Sequence, residues 1–370
     1  MRGRAGRGNP KTLNCVGEET QMTQGNFARR SALKGALFAA AVAMNSLPAR
    51  AADTLVLNYN QWFPSGHWSQ ADGLYKWFDQ IEEVTEGRVK VQASAKPLAP
   101  PNRNYQAVVD GVADIAWGPH GYTPGVFPLT EMVELPFITK DAGASSKAYW
   151  QLWKEYFEPT GMQSDVVTLA MHVTAGGNIS MRKEPVTSMA GLKGKKMRVP
   201  TPVVGRVLQQ QGVVPVSGSL TELREMLSRG IIDGTVISDE LVTGFKVDED
   251  IHAVTQVPGG IFSNSAFIIM NKAKWEKISA EDQAAIMGIS GEVLSEKMGA
   301  LWHQNDIAAR EIFKQRLGEN YLVADVSFMA EIDAAFAGEL GKWKEMAAEM
   351  GIDADAALAF YNGEIERPSN

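Results

Sequence analysis

Cysteine is almost absent from this chain of 370 residues: the single one is Cys15. It lies in a segment that reads as a removable leader, so residues 52–370 have no thiol for a disulfide, a CxxC redox pair or a thiolate metal site. Basic charge is scarce as well. Residues 52–370 carry 28 basic and 41 acidic side chains, a formal charge of -13, which argues against nucleic acid as a partner, since phosphate backbones are held by cations. Long apolar runs are missing too. The greasiest stretch, residues 35–44, makes a helix of only about 15 Å against roughly 30 Å of bilayer hydrocarbon, too short to remain a membrane span.

The known signatures of catalysis are also lacking. Gly118, Gly121 and Gly125 miss the spacing of a phosphate loop and are interrupted by prolines. The five histidines, His67, His120, His172, His252 and His303, are scattered, with no HExxH and no pair four apart on a helix. There is no Gly-x-Ser-x-Gly elbow. Neither a metal nor another cofactor is expected, nor an enzyme, because a nucleophile or acid–base pair is not supplied.

What is present begins with Arg29-Arg30, a short apolar stretch over residues 32–47 and then Pro48-Ala-Arg50-Ala51. Charged, greasy and small-x-small segments in that order read as an export signal over residues 1–51, with cleavage expected between Ala51 and Ala52. The paired arginines resemble a twin-arginine signal, which implies a periplasmic destination.

Residues 54–59 read as a strand, 71–85 as an amphipathic helix with Ser69 available as its cap, 88–93 as a strand, 105–109 as a short helix and 113–117 as a strand. The βαβαβ order predicts a sheet with crossover helices. Strands are predicted again at 166–171, 178–181, 196–199, 234–237 and 266–270, with helices at 203–211 and 221–230 between them. So much sheet implies two α/β lobes. Ser279-Ala-Glu281-Asp282 has the form of a helix N-terminus, and apolar spacing from there to Arg316 predicts one rod of about 50 Å bridging the lobes. A strand at 321–323 and helices near 329–350 and 354–365 complete the chain. The division expected is lobe I over 52–175 with 264–303, lobe II over 176–263 with 304–353, and a helical tail over 354–370.

Large aromatics collect after two predicted strands: Trp62, Phe63, His67 and Trp68 after the first, Trp117, His120, Tyr122 and Phe127 after the third. Open α/β sheets bind ligands beyond the carboxyl ends of their strands. Arg198 follows Met197 in a strand whose alternation aims it into an enclosed space, where a guanidinium needs an anion and its planar fork suits a carboxylate. From the residues alone, an internal Asp or Glu serves as well as a ligand.

Four stretches then resemble one family: Glu83-Val-Thr85-Glu-Gly87-Arg88-Val89; Val109-Asp-Gly111-Val-Ala-Asp114-Ile115; Leu192-Lys-Gly194-Lys-Lys-Met-Arg198-Val-Pro200; and Leu227-Ser-Arg-Gly230-Ile-Ile-Asp233-Gly234. Leu135-Pro136-Phe137 and Asn271-Lys272-Ala-Lys-Trp275 fit as well. Nearly all of residues 53–350 is similar to the periplasmic solute-binding subunit of a tripartite ATP-independent periplasmic (TRAP) transporter of the dicarboxylate-binding (DctP) type. The resemblance implies a two-lobed periplasmic binding fold with hinge-crossing strands and a long bridging helix, which captures a small carboxylate and passes it to membrane permease subunits. It puts the family's carboxylate-pairing arginine at Arg198. The expected pocket adds Trp62, Trp117, Tyr122 and Phe262 against the organic part, with Asn178, His67 or Glu240 as polar contacts. Two departures bear on the ligand. Sugar-acid binders often carry a second basic residue where this chain has Asn178, and Thr235-Val236-Ile237 replaces the common Gln-Glu-Asn, which disfavours a hydroxyl-rich ligand. A small mono- or dicarboxylate, keto, hydroxy or aromatic, is expected; a zwitterion or amine held by ring faces and an acidic group is the alternative, alongside a periplasmic enzyme on the same scaffold. The chain is read as a monomer or dimer.

Overall fold

The computed structural model describes residues 54–367; the leader expected over residues 1–51 lies outside the described residues. The strands are β1 (Leu55–Tyr59), β2 (Val89–Ala93), β3 (Ile115–Pro119), β4 (Val166–Val173), β5 (Asn178–Met181), β6 (Lys196–Arg198), β7 (Val214–Val216), β8 (Gly234–Ile237), β9 (Ala253–Gln256), β10 (Ser265–Asn271) and β11 (Tyr321–Val323). They form two sheets, ordered β2-β1-β3-β10-β4 and β11-β9-β5-β8-β6-β7. In each sheet one strand runs against its neighbours: β10 in the first, β5 in the second.

Those two reversed strands are where the chain changes lobe. β4 leads into β5 through residues 174–177, and β9 into β10 through 257–264. The two crossings hydrogen-bond to each other, Thr174 N–H to the Asn264 carbonyl (3.0 Å), Gly177 N–H to Phe262 (2.8 Å) and Ile261 N–H to Gly177 (3.0 Å). Gly176 and Gly260 meet backbone to backbone, since a Cβ on Gly176 would fall 2.8 Å from the Gly260 Cα. No residue with a side chain fits that contact without displacement.

The helices that place the site are α1 (Tyr75–Val84), α2 (Ala142–Leu152), α3 (Asp239–Gly244), α4 (Gly291–Leu317), α5 (Val326–Glu349) and α6 (Ala354–Glu366). α1 buries Trp77, Phe78 and Ile81 on the first sheet, as its spacing predicts. Its beginning differs from expectation. Helical backbone starts at Ser69 as a wide π turn over Ser69–Leu74, and Ser69 does not cap it; its Oγ lies 2.9 Å from His67 Nδ1 instead.

The single rod expected from Ser279 to Arg316 is two helices, Ala280–Gly288 and α4. Ser279 Oγ accepts the Asp282 N–H as its motif predicts, but Ser290 is extended and Gly291 has φ 57°, seated against the Trp150 ring. The apolar spacing runs through this break because both helices bury a face. Of the two, it is α4, at about 40 Å, that bridges the lobes, packing on α2 and β4 in one and on α3 and β11 in the other. It lies very close to α2, for a Cβ on Gly299 would fall 2.1 Å from the Ala142 carbonyl oxygen.

α5 also spans both bodies. Phe328, Ile332 and Phe336 enter the core of the second lobe, while Trp343 joins the core of the first and donates its indole N–H to the Leu129 carbonyl (2.9 Å). α6 buries Tyr361 and packs on α2.

Candidate functional site

Between the lobes lies a closed cavity of about 20 Å3, room for little more than a water molecule, so a solute enters it only as the lobes part. β6 supplies its cation. Met197 points into the core of the second lobe, and strand alternation turns Arg198 the other way, into the cavity wall. Arg198 is 3% exposed. Its Nε donates to the Gly218 carbonyl (3.1 Å) and its Nη2 to Tyr122 Oη (3.0 Å), yet among the described residues it forms no ion pair with an Asp or Glu. The nearby Glu222 is engaged elsewhere, accepting from Ser219 N–H (2.7 Å) and Ser219 Oγ in a capping box. Those bonds, and to a lesser degree the charge of Arg198, hold its carboxyl below the usual range.

Tyr122 joins the lobes at this point. It follows β3, and besides the guanidinium its hydroxyl oxygen accepts the Leu220 N–H from the second lobe (3.0 Å). A line of rings runs inward from it. Trp62 lies 6.1 Å from Tyr122 and stacks on Trp117 at 5.3 Å; Trp117 stacks in turn with Trp302 of α4 at 6.1 Å. Phe63 stands edge-on to Trp62, Trp117 and Trp302. The rings are held by their polar edges: Trp62 Nε1 donates to the Trp117 carbonyl (2.9 Å), and Trp117 Nε1 to His172 Nε2 (2.7 Å). His172 must be neutral to accept that bond, and burial pushes its pKa down to about 4.

Of the eight expected site residues, Arg198, Trp62, Trp117, Tyr122 and Phe262 line this cavity. Phe262 does so because Gly177 has no Cβ, which would fall 1.9 Å from the Phe262 ring. Asn178, His67 and Glu240 do not line it. Asn178 spends its side-chain oxygen on the Val257 N–H (3.0 Å) and faces the Asp239 carboxylate. His67 and Glu240 face each other across the lobe boundary, Nε2 to Oε2 3.5 Å, beside Trp68, whose indole N–H donates to the same oxygen (3.1 Å). Burial pushes Glu240 well above the usual carboxyl range and His67 down to about 4. The N–H groups of Asp239 and Glu240, at the start of α3, are received by Asp306 Oδ1 from α4 (2.9 and 3.3 Å). His67 and Glu240 thus meet at the lobe boundary, and Asn178 is bonded within the second lobe, all three outside this cavity.

Phe63, one of the loop aromatics after the first strand, also lines the cavity, while Trp302, Thr174, Asn264 and Ile237 are lining residues that the sequence did not single out as site residues. Trp302 reads in sequence as one more apolar position of a helical stripe, and only the crossing of α4 behind the first sheet turns it to the cavity. Ile237 is the last residue of the Thr-Val-Ile departure. It brings an apolar surface where a hydrogen-bonding one was missed.

Two α/β lobes, joined by crossing strands around a ring-lined cavity with one buried cation, define a solute-binding protein of the two-lobed type. Residues 63–335 match the family described as bacterial extracellular solute-binding protein, family 7 (DctP), and the chain belongs to it, the solute-binding subunits of TRAP transporters. A TRAP periplasmic solute-binding protein from Bordetella bronchiseptica, solved with bound (R)- and (S)-mandelate, is 30% identical, with a TM-score of 0.81 over 84% of this chain and 99% of that one. A marine metagenome TRAP solute-binding protein specific for aromatic acid ligands, in complex with metahydroxyphenylacetate, is 31% identical, with a TM-score of 0.77 over 84% and 98%. The outer membrane transporter protein TsaT of Comamonas testosteroni is 29% identical over 293 residues, 78% of this chain and 85% of that protein.

Proposed function

We propose that this protein is the periplasmic receptor of a TRAP transporter for a small aromatic carboxylate, which it encloses between its lobes and delivers to the membrane permease subunits. The observation that carries this reading is Arg198, a buried guanidinium that pairs with no carboxylate among the described residues. An unpaired buried charge costs several kcal/mol, and a ligand carboxylate removes that cost through a forked, charge-assisted pair. Apart from Thr174 and Asn264, which bond to each other, the rest of the wall is aromatic or aliphatic, with Trp62, Trp117, Phe63 and Phe262 offering ring faces and edges to the organic part.

The sizes and polarities of the lining support an aromatic acid over the other acids. Hydroxyls of a sugar acid would face Ile237, Leu241 and Phe262, losing about 1 to 3 kcal/mol for each unpaired group. A zwitterion or amine is disfavoured because, among the described residues, no Asp or Glu lines the cavity. The mandelate and metahydroxyphenylacetate bound by the two similar structures are aromatic acids, which agrees with the lining. The leader over residues 1–51 accords with a periplasmic site of action.

Calorimetry with benzoate, mandelate, phenylacetate and succinate tests the reading. An aromatic acid binds and succinate binds at least about tenfold more weakly. Arg198→Ala weakens the aromatic acid at least about tenfold, the factor that 1.4 kcal/mol sets, and Arg198→Lys loses part of it because an ammonium cannot form the fork. Unchanged affinity in Arg198→Ala, or a preference for succinate, would overturn the proposal.

A further inference from the structure

The cavity has two ends of different chemistry. Both partners of Arg198, Tyr122 and Gly218, also line the wide outer groove between the lobes, so the cation sits at its outer end. Trp302 lies at the other end of the ring series, in contact with Trp117, Phe63, Trp68 and His172, none of which borders that groove. It is fully buried.

Indole donors around the cavity are otherwise satisfied. Trp62 donates to the Trp117 carbonyl, Trp117 to His172 and Trp68 to Glu240. Asn264 and Thr174, the other polar residues at the inner wall, are bonded to each other, the Asn264 N–H to Thr174 Oγ1 at 3.2 Å. Trp302 Nε1 alone among the cavity-lining indoles meets no acceptor. Trp153 is also without one, but it is packed in the core of the first lobe and borders no cavity. A donor buried without a partner is destabilising, and the penalty is relieved by any acceptor brought to it.

We propose that Trp302 determines specificity: its Nε1–H receives an oxygen acceptor on the ring of the bound acid, at the end away from the carboxylate. The preferred solute is then an aromatic carboxylate carrying a ring hydroxyl, ether or carbonyl oxygen rather than an unsubstituted one. This rests on the aromatic-acid reading above and adds the substituent and its partner. Arg198 sets the position of the carboxylate, the rings accept the aromatic body, and Trp302 distinguishes one ring from another. Sites that hydrogen-bond a substrate group reject the analogue lacking it far more strongly than apolar pockets reject a missing methylene.

The test compares hydroxybenzoate with benzoate, and hydroxyphenylacetate with phenylacetate, each by calorimetry on the wild-type protein and on Trp302→Phe. The wild type prefers the best hydroxylated member of a pair by at least about tenfold, and Trp302→Phe brings that ratio near one. Because the substitution also disturbs ring packing, a second measurement uses the intact protein labelled with 15N-tryptophan. The Trp302 indole N–H resonance, assigned by its loss in Trp302→Phe, moves downfield with the hydroxylated acid and not with its parent. A ratio retained in Trp302→Phe, or an indole shift equal for the two acids, overturns the assignment while leaving an aromatic-acid receptor intact. Failure of all four acids to bind the wild type overturns both.

Discussion

The indole N–H of Trp68, on one lobe, donates to Glu240 Oε2, on the other, at 3.1 Å. The bond lies beside the cavity and not in it, and its partners separate whenever the lobes do. Trp68→Phe keeps the ring and removes the donor. Affinity for the ligand should fall about fivefold, the effect of roughly 1 kcal/mol. Equal affinities by calorimetry would mean that the bond contributes nothing to closure.

A second cross-lobe bond serves the ligand more directly. Tyr122 Oη accepts from both Arg198 Nη2 and the Leu220 N–H. Tyr122→Phe removes this shared acceptor, and both hydrogen bonds with it, and frees the guanidinium to rotate away from its fork geometry. Binding should weaken about tenfold or more, from the loss of about 1.4 kcal/mol or more. An affinity within twofold of wild type would show that Gly218 alone positions Arg198.

Gly299 sits where α4 crosses α2 with no room for a methyl group. Gly299→Ala forces the helices apart and should destabilise the protein by about 1 to 3 kcal/mol. Gly338, within α5, has nothing within 4 Å of its would-be Cβ, so Gly338→Ala should stabilise by about 0.5 to 1 kcal/mol. Thermal or urea unfolding of the pair checks both, and shifts of the same sign would contradict the packing argument.

Stability should fall toward both acid and alkaline pH. His67, His120 and His172 are buried neutral, each with its pKa pushed down to about 4. The stability they confer is present above the ordinary value of 6.5 and is lost as pH falls from there toward 4. Glu134 acts oppositely. Burial raises its carboxyl from 4.5 to about 8, against the hydrogen bond from Ser265 Oγ (2.7 Å), so its contribution is present below pH 4.5 and is lost as pH rises to about 8. Glu134→Gln should flatten the alkaline limb, its midpoint temperature relative to wild type being higher at pH 8.5 than at pH 5. No difference between the two pH values would refute the assignment.

Much of this architecture can be read in the chain because its signals are local. Ala266 to Met270 is apolar without interruption and forms a strand buried on both faces. The alternation at Met197 and Arg198 separates core from cavity. Other elements leave no such trace. α2, with the sequence AGASSKAYWQL, is buried on nearly every side, and its small residues show no apolar stripe, so no helix is expected there. β7, Val214-Pro215-Val216, carries a proline at its centre, a residue that argues against a strand. The site is legible to the same degree. Loop aromatics next to strand ends point to Trp62, Trp117 and Tyr122, whereas Trp302 is indistinguishable from core until α4 is laid across the first sheet. His67 shares a loop with Trp62, and only the approach of α3 assigns it to the lobe boundary.

Gly176 and Gly260 touch where the chain passes twice between the lobes. A fulcrum built of bare backbone carries no interlocking side chains that must be unpacked when it turns, so it offers little elastic resistance of its own. Resistance to opening then resides in a few bonds that cross between the lobes, such as those of Trp68 and Tyr122. Loosening those bonds frees the lobes to part without disturbing either folded body.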